Sequence, residues 1–267
     1  TNVNTDVWGS AKWMDGAFAH RSPDVRADAI AEGKRSVDMA REIGSPSVGL
    51  WLGADGFDYP FQVDYLTQWD LLVDGVRQVA DYAKPDIRIG IEYKLREPRT
   101  RMTIGDAGKA LAFVQEVGFD NVGCVIDFGH ALQCRESPAE SVAIFARHNK
   151  LFNVHFNDSF RDWDDDMIPG TVHIWETLEF LYYCKVTGYQ GWFACYGDGS
   201  PVERWVHWSG GAYRSDTPKP GPGYVTFELY PDVREYTTLF QTNLGNLGNG
   251  QPAKLFSSYT TQTVNKH

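Results

Sequence analysis

The sequence is short of cysteine, of positive charge and of long apolar runs, and each shortage narrows what the chain can be. Its four cysteines, Cys124, Cys134, Cys184 and Cys195, sit at no paired spacing in 267 residues. That excludes a disulfide scaffold and leaves reduced, mostly buried thiols, as expected of a cytoplasmic protein. Lys and Arg number 25 against 35 Asp and Glu, a net charge of -10. A chain without a basic surplus is not expected to take nucleic acid as its partner. No stretch of about 18 apolar residues occurs, so no membrane span is expected. The opening Thr1-Asn2-Val3-Asn4 has neither a basic nor an apolar character, so no signal peptide is expected either. A G-x-G-x-x-G after an apolar run is also missing, which weakens a dinucleotide-binding reading. What remains is a soluble acidic globule, 42% apolar and long enough to close its own core.

Over residues 1–200 short β-branched runs alternate with longer helical patterns. Apolar runs fall at 47–52, 87–93, 122–128, 151–156 and 191–195. Helices are expected at 23–43, 61–83, 105–117, 138–149 and 172–187. The first has Ser22 as N-cap, Pro23 in its first turn and Gly44 after its end. Continuous apolar strands alternating with helices mean a parallel sheet covered by helices, either a (β/α) barrel or a doubly wound sheet. Residues 201–267 differ: Gly, Pro and Thr rise and the helical period fades. This tail reads as loops with one strand near 224–230, an arm or an oligomer contact.

Each apolar run ends in a side chain suited to a metal or sugar site. Ile91 is followed by Glu92-Tyr93-Lys94, Ile126 by Asp127-Phe128-Gly129-His130, Val154 by His155-Phe156-Asn157-Asp158, and Cys195 by Tyr196-Gly197-Asp198. Taken alone, a strand-end Asp or His is as often a cap as a ligand. In parallel α/β folds, however, groups at the carboxyl ends of strands converge where ligands bind, so Glu92, Asp127, His155 and Asp198 are expected at one point. Carboxylates with imidazole suit Mn²⁺, Mg²⁺ or Co²⁺ better than a closed zinc site. His130, three residues after Asp127, would reach a second ion bridged by that carboxylate. Asp164 and Asp166, alternating along the acidic run 162–166, would complete its shell; the plain alternative is a solvated loop. Lys94 is either a counter-ion for Glu92 or a group that polarises a substrate oxygen. Trp51 and Trp8 would stack on a sugar ring or simply pack. Asn157-Asp158-Ser159 spells a glycosylation sequon, set aside because no secretion signal is seen.

In combination, Ile91-Glu92-Tyr93-Lys94, Ile126-Asp127-Phe128-Gly129-His130, Val154-His155-Phe156-Asn157-Asp158 and the run 162–166 resemble the xylose isomerase-like TIM-barrel superfamily. Within it, the set looks most like L-rhamnose isomerase and related aldose–ketose isomerases, and the stretch Gly16–His20 through Asp24-Val25-Arg26 and the run Leu50-Trp51-Leu52-Gly53-Ala54-Asp55-Gly56 also resemble that branch. The resemblance implies a (β/α)8 TIM barrel, here expected to lack its first one or two βα units, because the family places four strands before the Glu-x-Lys strand and only about two precede it in this chain. It implies two divalent ions, the first on Glu92, Asp127, His155 and Asp198, the second on Asp127, His130, Asp164 and Asp166. Lys94, Asp164 and Asp166 would be catalytic, and Trp51, Lys94 and His130 would contact an unphosphorylated sugar in a homo-oligomer, dimer or tetramer. The implied reaction moves hydrogen between C1 and C2 of an aldose. Alternatives are a one-metal ketose 3-epimerase of the same superfamily and a non-catalytic incomplete barrel or subunit. A metal-dependent endonuclease of this barrel class would need a basic groove that the charge balance does not offer.

Overall fold

The caps written into the sequence decide where most elements begin. The computed structural model describes residues 2–97 and 99–196, with side chains through Ala194, and the backbone of strands Trp208–Ser209, Ala212–Tyr213 and Tyr224–Glu228. Six parallel strands run β1 (Val3–Asn4), β2 (Ser47–Trp51), β3 (Arg88–Glu92), β4 (Val122–Asp127), β5 (Leu151–Phe156) and β6 (Trp192–Tyr196). Between them lie α1 (Pro23–Ile43), α2 (Tyr65–Tyr82), α3 (Ala107–Val117), α4 (Phe128–Gln133), α5 (Pro138–Arg147) and α6 (Ile174–Val186). Each strand pairs in parallel with the next in sequence. The result is a TIM-barrel-like half-barrel, with two strands ahead of Glu92 as the sequence pattern indicated. Tyr224–Glu228, expected within 224–230, adds antiparallel to β6.

Helix starts differ from expectation where a cap intervenes. The Asp64 carboxylate accepts the Thr67 N–H, so α2 begins at Tyr65 and not at 61; Phe61 stays outside it at φ 66°. Asp106 caps α3 in the same way. Gly44 closes α1 in the left-handed region at φ 70°, which glycine adopts without a Cβ clash. Ser22 precedes Pro23 as expected, but its hydroxyl makes no capping bond; the preorganised φ of Pro23 starts the helix without it. The short α4 and a small antiparallel sheet of Gly56–Phe57, Arg96–Glu97 and Thr100–Met102 were not expected from the pattern. Both lie beyond strand carboxyl ends, where helical and strand periods are too short to register.

All six residues of β4 are buried, as a strand covered on both faces must be. Phe128, Phe156, Phe180 and Phe193 stack edge and face at centroid distances of 5.3–6.3 Å, seating α6 on β5 and β6. Under the strand ends, Gly49, Gly90 and Gly123 pair in one row across three strands. A Cβ on Gly123 would lie 2.4 Å from the Phe152 ring, which an irregularity in the β4–β5 pairing turns over that glycine. Farther out, the buried Asp55 carboxylate accepts the N–H groups of Ala17, Phe18 and Ala19, tying the turn before α1 to the end of β2.

In a urea titration, Gly123→Ala is expected to lose about 1–3 kcal/mol by overpacking against Phe152. Combining it with Phe152→Ala should cost less than the two single losses added together. Additive losses would show that the ring does not rest on the glycine.

Candidate metal centre

Parallel pairing puts successive strand ends side by side. Asp127 on β4 lies opposite His155 on β5, and Glu92 ends the neighbouring β3. Asp127 is also the N-cap of α4: its Oδ1 accepts the His130 N–H at 2.9 Å, so carboxylate and imidazole rise from one turn of chain. Glu92 lies between two imidazoles. Its Oε1 is 3.3 Å from His130 Nδ1, and its Oε2 is 3.1 Å from His155 Nδ1. One donor atom each from Glu92, Asp127 and His130 falls within 4.8 Å of the others, and all three residues are buried.

The acidic run 162–166 folds back onto this group. Asp164 Oδ2 is 3.3 Å from His130 Nε2 and accepts from Lys94 Nζ at 2.7 Å. His130 therefore joins the two halves of the site, with Nδ1 facing Glu92 and Nε2 facing Asp164. Asp166 accepts from Asn157 Nδ2 at 3.0 Å, and the same amide donates to both oxygens of Asp127 at 3.2 and 3.1 Å. Lys94 is 1% exposed and pairs with Glu97 and Asp164; it lies beyond the end of β3 and is not the counter-ion of Glu92 that alternation allowed. Its ammonium stands 5.2 Å from the centre of the Trp51 ring, whose other neighbour is the edge of Trp8. Glu92, Asp127, His130, His155, Asp164, Asp166, Lys94 and Trp51 are thus neighbours; Asp198 lies outside the described residues.

Two residues at this site escaped the sequence reading. Asn157 is fully buried, and a Cβ on Gly129 would lie 2.7 Å from its side-chain oxygen, so glycine there admits the amide. Its signal is its place two residues after His155, on the same face of an extended chain. Glu97 reaches Lys94 through the small hairpin, which no periodicity announces.

The charges explain the donor chemistry. Burial raises the Asp127 carboxyl, and the charges of Glu92 and Asp164 add to the rise against the pull of His130 and His155. Asp166 is pushed up to about 7 by burial, then by Asp164 and Asp127. Burial works against Glu92 too, but the His155 and His130 imidazoles beside it hold its carboxyl below the usual carboxylate range. For His130 and His155 burial favours the neutral ring, yet Asp127, Glu92 and, for His130, Asp164 raise both. Lys94 and His130 keep Asp164 low against its burial. Among the described residues, Glu92 and Asp127 are thus buried beside the His130 and His155 imidazoles, while Asp164 and Asp166 stand at the more accessible edge of the group, where Lys94 meets Asp164. A divalent cation fits this set: hard oxygen donors plus imidazole, with protons to surrender as it enters.

A family profile described as "Xylose isomerase-like TIM barrel" matches residues 6–207. A probable sugar isomerase of Rhizobium meliloti (strain 1021) is 29% identical over 174 residues, 64% of this chain and 40% of that protein. The xylose isomerase of Thermus thermophilus is 25% identical over 194 residues, 71% of this chain and 50% of that protein. The chain therefore spans 40–50% of the length of these relatives. Among solved structures, D-psicose 3-epimerase from Clostridium cellulolyticum H10 superimposes with a TM-score of 0.56 at 20% identity, covering 68% of this chain and 59% of that one. A xylose isomerase domain protein from Alicyclobacillus acidocaldarius gives a TM-score of 0.53 at 22% identity, covering 72% and 65%. These structural likenesses speak for the fold.

A pH dependence follows from the shifts. Asp127, Asp166, His130 and His155 are raised in the fold, so their contribution is complete at low pH and lost as pH climbs through their folded values. Glu92 and Asp164 are lowered and lose theirs only on acidification. In chelator-treated protein the thermal midpoint is expected to fall as pH rises past the imidazole reference of 6.5, with Asp166→Asn flattening the part near pH 7. A midpoint that rises over that span would contradict the charge balance described.

Proposed function

The chain belongs to the xylose isomerase-like TIM-barrel family, and from that premise we propose that it isomerises an unphosphorylated sugar, with divalent metal, by moving hydrogen between C1 and C2 of an aldose and its ketose. The observation that carries this reading is Lys94, buried beside a carboxylate–imidazole donor set and tied to it through Asp164. The crowd of carboxylates favours a neutral sugar, since a phosphate would be repelled there.

In this proposal Glu92, Asp127 and His155 hold one ion, with Asp198 as a fourth ligand in the sequence-based assignment. Asp127, His130, Asp164 and Asp166 hold a second. Mn²⁺, Mg²⁺ and Co²⁺ all suit these donors. Bound ions supply Lewis-acid polarisation of the sugar oxygens at C1 and C2. Lys94 exchanges its Asp164 bond for the sugar O1 and donates to it as charge develops. Asp166, held by the Asn157 amide next to Asp127, is placed to pass a hydroxyl proton through a bound water, and Asp164 steers it. Trp51 offers a ring face to the sugar's apolar edge, and His130 orients the hydroxyl nearest Glu92. The L-rhamnose branch is the substrate proposal, supported by the sequence around Asp24 and Trp51. Exposed Tyr59, Phe61, Tyr65 and Leu66, 53–99% accessible, support assembly into a homo-oligomer, dimer or tetramer.

A second reading is a one-metal ketose 3-epimerase, favoured by the fact that, among the described residues, Glu92, Asp127 and His130 are the set whose donor atoms converge within 4.8 Å. Because the chain covers about half or less of its curated relatives, a non-catalytic part of a larger barrel is the third.

The test is a sugar panel led by L-rhamnose and D-xylose, run in D₂O with Mn²⁺ and followed by NMR. Deuterium entering at C1 or C2, or an aldose–ketose conversion without exchange, supports isomerisation; exchange at C3 supports epimerisation; no conversion by chain of known oligomeric size supports the subunit reading. Asp127→Ala is expected to abolish ion binding and turnover together. Lys94→Met should lower turnover by about 100-fold with ion content unchanged, in the range of a lost transition-state donor. Wild-type turnover in Lys94→Met would reduce Lys94 to a structural cation.

A further inference from the structure

The carboxylates of the acidic run are carried on a long excursion with little regular structure, and the excursion leaves and re-enters the barrel at one buried knot. Asp158, immediately after Asn157, is 0% exposed. Its carboxylate accepts the N–H of Ser159 at 2.8 Å on the outgoing side and those of Val172 and His173 at 2.8 and 2.9 Å on the returning side. Its backbone closes a two-bond bridge with Met167. The fourth donor to Asp158 is His173 Nδ1, at 2.7 Å. The Arg161 Nε–H points at His173 Nε2 at 2.8 Å, which leaves that nitrogen only the acceptor role and puts the ring proton on Nδ1. Arg161 is held in turn by Glu176 in the first turn of α6, at 2.6 Å. Inside the excursion, Phe160 N–H donates to Asp165, the residue between Asp164 and Asp166.

We propose that Asp158 and His173, locked by Arg161, are positioning residues that set how firmly Asp164 and Asp166 are presented to a cation they themselves do not touch. Four donors use the four acceptor positions of a buried carboxylate, so Asp158 has one stable orientation. That orientation fixes both feet of the 159–172 segment. With its feet fixed and Asp165 tied back to Phe160, the segment has few ways to place Asp164 against Lys94 and His130, and Asp166 against Asn157. Loss of the His173 bond leaves a buried carboxylate short of a donor at the base of the loop, and the ordering of the loop is then paid for by the cation on binding. The inference deepens the two-ion reading above and rests on it for the metal, while the knot itself is testable in the metal-free chain.

Amide hydrogen exchange of the chelator-treated full chain is the first readout, and Mn²⁺ titration by EPR of the free ion the second. His173→Ala is expected to raise exchange across 159–172 by at least about tenfold while β3 and β4 keep wild-type protection. It should weaken the weaker of two Mn²⁺ sites by about 10-fold and leave the tighter one unchanged, a range seen for groups that orient ligands. His173→Asn, whose Nδ2–H can replace Nδ1–H toward Asp158, should recover most of both. If His173→Ala does not fold, Arg161→Gln, which leaves the Asp158 bonds in place, should show the same direction with a smaller size. Unchanged exchange in 159–172, or exchange raised evenly over every strand, overturns the proposal, as does equal weakening of both Mn²⁺ sites. If the wild type binds no Mn²⁺, the metal reading falls, and the exchange data alone decide the knot.

Discussion

Glu92 is a carboxylate removed from water and placed between two imidazoles, and much of the surrounding structure serves that arrangement. Burying a charge without partners is prohibitive, so the fold must bring compensating groups to it from separate elements. It does so by placing Glu92, Asp127 and His155 at or next to the ends of adjacent parallel strands and by capping α4 with Asp127, which delivers His130 to the same spot. The same need recurs one layer out, where Lys94 answers Glu97 and Asp164. The site is a charge balance in which no member is independent.

Amides and glycines make that balance mechanically possible. Asn157 donates to Asp127 and Asp166 at once, so a single side chain spaces two carboxylates that would otherwise repel. Gly129 lets Asn157 approach α4, and Gly123 makes room for Phe152 in the floor beneath the strand ends. The charged side chains therefore sit on backbone whose geometry depends on positions with no side chain at all.

The layout of the half-barrel was legible because its strands are continuous apolar runs, each followed at once by a polar group; Glu92, Asp127 and His155 could be read from that alone. The motif spacings linked His130 to Asp127, and Asp164 and Asp166 to the same region. What periodicity could not deliver was contact between segments distant in sequence. The partner of Lys94 depends on a hairpin at Arg96–Met102 too short to leave a pattern, and the role of Asn157 depends on facing a glycine 28 residues earlier. Ser22 occupies the N-cap as its residue type indicated, but position did not carry the side-chain bond with it, since Pro23 starts the helix without one.

Strand order in the sheet follows chain order from β1 to β6. Each strand therefore pairs with the one before it in the chain, across a connection that carries a helix. The ligand-bearing groups arrive in the same sequence: Glu92, then Asp127 with His130, then His155, then the acidic run. Of the two imidazoles beside Glu92, one comes with α4 and the other with β5. The charge centre is thus a property of the assembled units from β3 onward, and no fragment that ends before β5 contains both imidazoles of Glu92.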